Sequence, residues 1–424
     1  MTPKQYPQIG ETLYHTELEN GLHIYVDVKP EFSKSYAFFA THYGGMDMRY
    51  YFDGGWQETP AGVAHFLEHK MFEKPEGDAF AAYAKTGASA NAFTSFDKTS
   101  YLFSCTDHFE ESLEILLDLA RRPYFTPASV AKEQGIIGQE IRMYDDDPDW
   151  RVFFNLLGAL YQKHPVHIDI AGTVESISQI DAPLLYRCHR TFYNLNNMVL
   201  CVAGNFTIEQ VLQAVDKVVK PDEKPVEITS RTVEEPEEVA QKLVEQRLSV
   251  ATPLFQFGFK GRSEGPADNF RHQIWDEMLC ELIAGEASPL YRRMYDAGII
   301  NATFGSEVMV GRDYLCTIFS GESRQPEQVA QEIQREIERL TREGIDREMF
   351  ELVRRATYGR YIGIFGRTDA VAGIMSSAYL AGVEDPYSIL DIVADTTLEE
   401  LQERLKNSFD TERCALSIVR PVEG

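Results

Sequence analysis

Basic residues are scarce in this chain: 41 lysines and arginines stand against 66 aspartates and glutamates, a net charge of -25. Phosphate backbones are held by basic surface, so the balance argues against a nucleic-acid partner. It would instead steer basic peptides toward the chain in preference to acidic ones. Long apolar runs are also missing. No stretch reaches the about 18 consecutive apolar residues of a membrane span. The opening residues, MTPKQYPQIG, lack the basic-then-apolar order of a secretory signal. Cysteine is thinly spread: Cys105, Cys188, Cys201, Cys280, Cys316 and Cys414 show no CxxC spacing. They read as small buried residues in a reducing compartment, which makes the cytoplasm the expected location. What remains is a well-cored globular composition, 44% hydrophobic and 12% aromatic over 424 residues. That length suits two domains of about 200 residues each.

Strand, helix, hairpin, helix, helix occurs twice along the chain. In the first pass, NGLHIYVDVKP and SYAFFATHY alternate like strands behind an Asn-Gly turn. Thr59 and Pro60 supply a cap and a first-turn proline for a helix carrying HFLEH. A hairpin follows in GASANAFTSFDKTSYLFSCT, then the amphipathic helix HFEESLEILLDLARR, then a helix capped by Thr126 and opened by Pro127. In the second pass the same order runs through EQRLSVATPLFQFGFKG, NFRHQIWDEMLCELIAG, ATFGSEVMVGRDYLCTIFSG, QPEQVAQEIQREIERL and a helix capped by Asp346. The intervening stretch is rich in Pro, Glu and Lys and reads as a linker. The expectation is an α+β chain with two similar domains, 1–220 and 244–424, joined by a linker at 221–243.

HFLEH is the costly feature, because imidazoles and a carboxylate sit inside the apolar run AGVAHFLEHKMF. On a helix, positions i and i+4 share a face about 5–6 Å apart, so His65 and His69 are placed to ligate one ion. A zinc site needs a third protein ligand and an open position for water. Glu68 lies on the same side, placed to take that water's proton. In KEQGIIGQEIRMY, Val130, Ile137, Ile141 and Tyr144 form an apolar stripe, and Glu133 and Glu140 fall on it. Two carboxylates on a buried face need a counter-charge, which a dication supplies. Glu140 is therefore assigned as third ligand, with Glu133 orienting a histidine or the ligand. Gly135 and Gly138, each costing about 1 kcal/mol of helix propensity, suggest close approach to another helix. Two imidazoles and a carboxylate suit Zn2+ well, and H-x-x-E-H is a zinc-peptidase order.

HFLEH, ASANAFTSFDKTSY and the later GIIGQEI together resemble the inverzincin zinc peptidases, the family of pitrilysin, insulin-degrading enzyme and mitochondrial processing peptidase. HFLEHKMFEKPEGD and HIDIAGTVESI are most similar to its bacterial YmfH-type members. The resemblance implies two repeated domains, each an antiparallel-rich sheet packed with helices, forming half of a processing-peptidase-like clamshell. It also implies zinc-dependent cleavage of unfolded peptides inside a chamber. Carried over to this chain, zinc falls to His65, His69 and Glu140, the base to Glu68 and a supporting role to Glu133. Ala90, Asn91, Ala92 and Phe93 resemble the family's edge strand, which takes up substrate backbone by β-augmentation.

The pattern is broken in two places. The second half has no HxxEH; aligned on the two helix caps, Glu140 faces Arg360 and Glu133 faces Val353, so no second metal site is expected. Complete enzymes of the family also offer an Arg and a Tyr to the tetrahedral intermediate. In SPLYRRMYDAGIIN, anchored on Gly298, those positions hold Met294 and Ile300. The chain is thus expected to act as the zinc-bearing subunit of a dimer whose homologous partner supplies Arg and Tyr, with a homodimer as runner-up. A non-catalytic peptide-binding or scaffold subunit is the alternative, and a small-molecule metallohydrolase a weaker third. His164 and His167 of HPVHID read as loop residues, and DDDPDW as a helix end.

Overall fold

The computed structural model describes residues 1–220, 224–230 and 233–422. They form two compact α+β units, one built from 1–141, 169–231 and 362–380, the other from 142–168, 232–361 and 381–424. The first contains a seven-stranded sheet in the order Thr2–Tyr6, Glu11–Glu17, His23–Val28, Met198–Gly204, Ser35–Thr41, Thr99–Cys105, Ser89–Thr94. The second contains a five-stranded sheet in the order Leu243–Leu248, Cys414–Pro421, Leu254–Lys260, Leu315–Glu322, Gly305–Val310. The last five strands of the first sheet and the five of the second match one for one. In each, one parallel pair (His23–Val28 with Met198–Gly204; Leu243–Leu248 with Cys414–Pro421) is followed by three antiparallel pairings. The two similar α+β repeats are therefore present.

The units cut across the contiguous segments 1–220 and 244–424. Helix Pro148–Leu160, from the first half of the chain, packs on Cys414–Pro421 and Leu254–Lys260 of the second sheet. Helix Thr368–Leu380, from the second half, packs on Met198–Gly204 and Ser35–Thr41 of the first. These are corresponding strands, so the repeats exchange corresponding helices. Burial drives this. Val152, Phe154, Leu156, Leu157 and Leu160 are all lost from solvent, each large side chain contributing about 1.5–3 kcal/mol. Gly258 makes room for them, since a Cβ there would lie 2.8 Å from Leu156 Cδ2. Met198–Gly204 is buried at every position, as expected of a strand covered on both faces.

Local punctuation is mostly where the sequence puts it. Thr126 Oγ1 accepts the Ser129 N–H and Asp346 Oδ1 the Met349 N–H. DDDPDW ends one helix at Asp146 and, through Asp147 with Pro148 behind it, caps the next, Pro148–Leu160. The HFLEH helix is the exception: it runs Val63–Met71 and starts at Gly62, not at Thr59-Pro60. Gly62 has φ 91°, and a Cβ on it would sit 2.6 Å from the Ala171 carbonyl oxygen. Thr59 instead donates its N–H and hydroxyl to Met48 O. EKPEGD forms a small hairpin. Of the stretch read as a linker, 221–223 and 231–232 lie outside the described residues. The remainder is tied down: Thr229–Ser230 pairs with Tyr50 and Tyr51, and Glu235 accepts the N–H groups of Gln162, Lys163 and His164.

Candidate metal centre

Seven residues of the nine in the HFLEH helix are buried, Glu68 and Lys70 among them. The chain tolerates this because a second helix, Pro127–Asp146, brings charge to the same place. Val130, Ile137 and Ile141 bury one side of that helix and carry Glu133 and Glu140 to the histidines. The His65 and His69 ring centroids are 4.6 Å apart. His65 Nε2 lies 3.8 Å from Glu140 Oε1, and His69 Nε2 lies 3.6 Å from Glu140 Oε2. One ligand atom from each of the three residues falls within 4.8 Å of the other two, and no other such group of three or more His, Cys, Asp or Glu occurs among the described residues. Ligands about 2.0–2.1 Å from a tetrahedral zinc stand roughly 3.4 Å apart. The two histidine–carboxylate separations, 3.8 and 3.6 Å, are close to that value, and two imidazoles with a carboxylate are a donor set that zinc takes.

The surroundings set the protonation of each group. Burial, then the neighbouring His69, push His65 down to about 4, leaving a neutral imidazole ready to donate electrons. Burial opposes charge on His69 as well, but the hydrogen bond to Glu133 and the nearby Glu68 and Glu140 outweigh it and raise this histidine. Its Nδ1 lies 3.2 Å from Glu133 Oε1. Burial would raise Glu133, yet His69 and Lys70 hold it below the usual carboxylate range. Burial lifts Glu68 to about 7, well above the usual carboxylate range. Gly135, expected at a helix approach, faces open space, whereas Gly138 is buried.

Ser89–Thr94 is an end strand of the first sheet, paired on one side only, with Thr99–Cys105, and it runs beside the HFLEH helix. Ser89, Asn91 and Phe93 are exposed, while Ala90, Ala92 and Thr94 are half-buried. The Ala92 N–H donates to Asn91 Oδ1 at 2.9 Å, not to the neighbouring strand. Thr94 Oγ1 donates to Glu68 Oε2 at 3.2 Å. Thr94 escaped the sequence reading, as did Lys70, beside Glu133. The signals were a hydroxyl closing the ANAFT alternation and a lysine in an apolar helix.

Elsewhere the candidates separate. His164 Nε2 pairs with Asp313, and His167 Nδ1 with the His164 carbonyl. Met294 and Ile300 are core residues of the second unit, 1% and 4% exposed. In that unit the counterpart of the metal centre is filled by protein charge. Arg360 Nη2 and the Tyr361 hydroxyl donate to Glu277 Oε2 at 3.0 and 2.9 Å.

Residues 53–174 match the family model for insulinase (peptidase family M16), and 179–357 match that for the peptidase M16 inactive domain. The chain belongs to peptidase family M16. Zinc protease YmfH of Bacillus subtilis is 38% identical to this M16 member over 425 residues, 99% of each chain. The crystal structure of an M16-like peptidase from Alicyclobacillus acidocaldarius shares its fold at a TM-score of 0.95, with 32% identity over 99% of this chain and 100% of the other. Pitrilysin shows the same fold at 16% identity and a TM-score of 0.76; all of this M16 chain is matched, but only 47% of pitrilysin. Relatives of this M16 chain thus carry the name zinc protease, and its donor set is one that zinc takes.

Proposed function

We propose that this chain is a zinc-dependent endopeptidase of unfolded peptides and the zinc-bearing subunit of a dimer. One observation carries the proposal: His65, His69 and Glu140 converge on one point, with the buried carboxylate of Glu68 beside them, next to an open sheet edge. Zinc bound there supplies Lewis-acid chemistry, acidifying a water and polarising a carbonyl. His65 and His69 donate Nε2, and Glu133 fixes the His69 ring through Nδ1. Glu68 takes the proton of the attacking water as the C–O bond forms, then hands it to the amide nitrogen as the C–N bond breaks. Thr94 holds one Glu68 oxygen and leaves the other for that proton. Ala90, Asn91, Ala92 and Phe93 align the peptide by main-chain pairing.

The partner follows from what the chain lacks. The positions expected to hold Arg and Tyr are buried Met294 and Ile300. A homologous, non-identical subunit supplying those donors accounts for this, with a second copy as runner-up. No helix among the described residues is long and apolar enough to cross a membrane; the cytoplasmic reading rests on the scattered cysteines alone. The match of 179–357 to an inactive-domain model favours, as second reading, a non-catalytic peptide-binding subunit.

The test is cleavage of a quenched, unstructured peptide library by the purified chain, zinc-loaded, chelated, and as Glu68→Gln. Chelator-sensitive cleavage that vanishes in Glu68→Gln is expected once the partner is present. Cleavage by the chain alone would remove the need for a partner. Zinc bound stoichiometrically, with no cleavage in any assembly, would favour the binding-subunit reading.

A further inference from the structure

Lys70 follows the second metal-ligating histidine on the HFLEH helix and is 1% exposed. A lysine is almost never buried without a partner. This one has two: its Nζ contacts Glu73 Oε2, one turn further on, and lies 4.0 Å from Glu133 Oε2. The other oxygen of Glu133 faces His69 Nδ1 at 3.2 Å. Glu73, Lys70, Glu133 and His69 therefore form a line of alternating charge and hydrogen bonding that ends on the imidazole.

We infer that Lys70 is a positioning residue of the metal centre, acting on His69 through Glu133. A carboxylate held at one oxygen rotates about its last torsion, which is broad for Glu. With the ammonium 4.0 Å from Oε2, ionic attraction at the second oxygen biases that torsion and keeps Oε1 aimed at Nδ1. That keeps the Nδ1–H tautomer of His69 and turns the Nε2 lone pair toward Glu140. Glu73, 40% exposed on its side chain, anchors Lys70 from the solvent side. Nothing in this line touches a substrate, so the role is orientation alone. The inference rests on the metal reading of His65, His69 and Glu140.

The test is a double-mutant cycle on the full chain, with zinc affinity measured by competition against a chromophoric chelator. The four proteins are wild type, Lys70→Met, Glu133→Gln and the double variant. Lys70→Met should weaken zinc binding about tenfold, the lower end for loss of a group supporting a ligand. In the Glu133→Gln background it should cost nothing further, because its route to His69 is already cut. Long-range 1H–15N spectra of His69 should show loss of the single Nδ1–H tautomer in Lys70→Met. Wild-type affinity in Lys70→Met, or a loss that adds in full to that of Glu133→Gln, overturns the inference. If Lys70→Met does not fold, Lys70→Arg carries the comparison: affinity within about threefold of wild type is expected, since the charge is kept, and a tenfold loss overturns it. A wild-type chain that binds no zinc, or binds it equally as His65→Ala, overturns the metal reading and this inference with it.

Discussion

His65 and His69 sit one helical turn apart and meet opposite electrostatics. His65, lowered to about 4, is already neutral at pH 6, whereas His69, raised above its ordinary value, holds its proton there. Glu68, lifted to about 7, is also protonated at pH 6. A dication in their midst reverses both preferences. Zinc binding at pH 6 should thus expel about two protons, one from His69 and one from Glu68, and none from His65. Its affinity should climb with pH through about 7, where Glu68 loses its proton. Calorimetry in buffers of different ionisation enthalpy counts the protons, and Glu68→Gln should release one fewer. The convergence of His65, His69 and Glu140 was legible in HFLEH and GIIGQEI because the three fall at helical spacing on two faces that burial brings together. Thr94 and Lys70 were not, since a hydroxyl or an ammonium acquires its role from a partner on another element.

The edge strand and the two helix pairs show what local sequence decides and what it leaves open. Ala92 presents an N–H that the sheet does not use, and proline is tolerated on edge strands where no ladder bond is lost. Ala92→Pro should keep the fold and zinc affinity but abolish binding of an extended peptide, as read by fluorescence anisotropy. In the second unit, the long helix offers a guanidinium where the first offers a carboxylate, and Glu277 and Glu281 face it in place of histidines. Arg360 closes that helix pair as the dication is proposed to close the first. Arg360 is half-exposed, so solvent screens much of its attraction. Arg360→Met should cost about 1 kcal/mol in thermal or urea unfolding and leave zinc affinity untouched. The replacement of Glu140 by Arg360 was visible from the aligned helix caps. Its partner Glu277 was not, because it lies on a helix whose rotation only packing fixes. The start of the HFLEH helix was misplaced for a like reason: Gly62 is selected by the backbone of Ala171, far along the chain.

Across the whole molecule, the repeat was legible from the order of elements, but the exchange of helices was not. The apolar face of Pro148–Leu160 fits either sheet by composition, and only tertiary packing assigns it to the second. Expressed alone, 1–220 would leave that face bare and its own sheet without Thr368–Leu380. Segments 1–220 and 244–424 should therefore each aggregate when made separately and form a soluble one-to-one complex when co-expressed, as read by size-exclusion chromatography. The same exchange constrains the ancestry of the chain. A solitary repeat of this design would either fold its helix back on its own sheet or trade it with a second copy. The present chain has the topology of a domain-swapped dimer joined end to end, each half carrying the helix that covers the other's sheet.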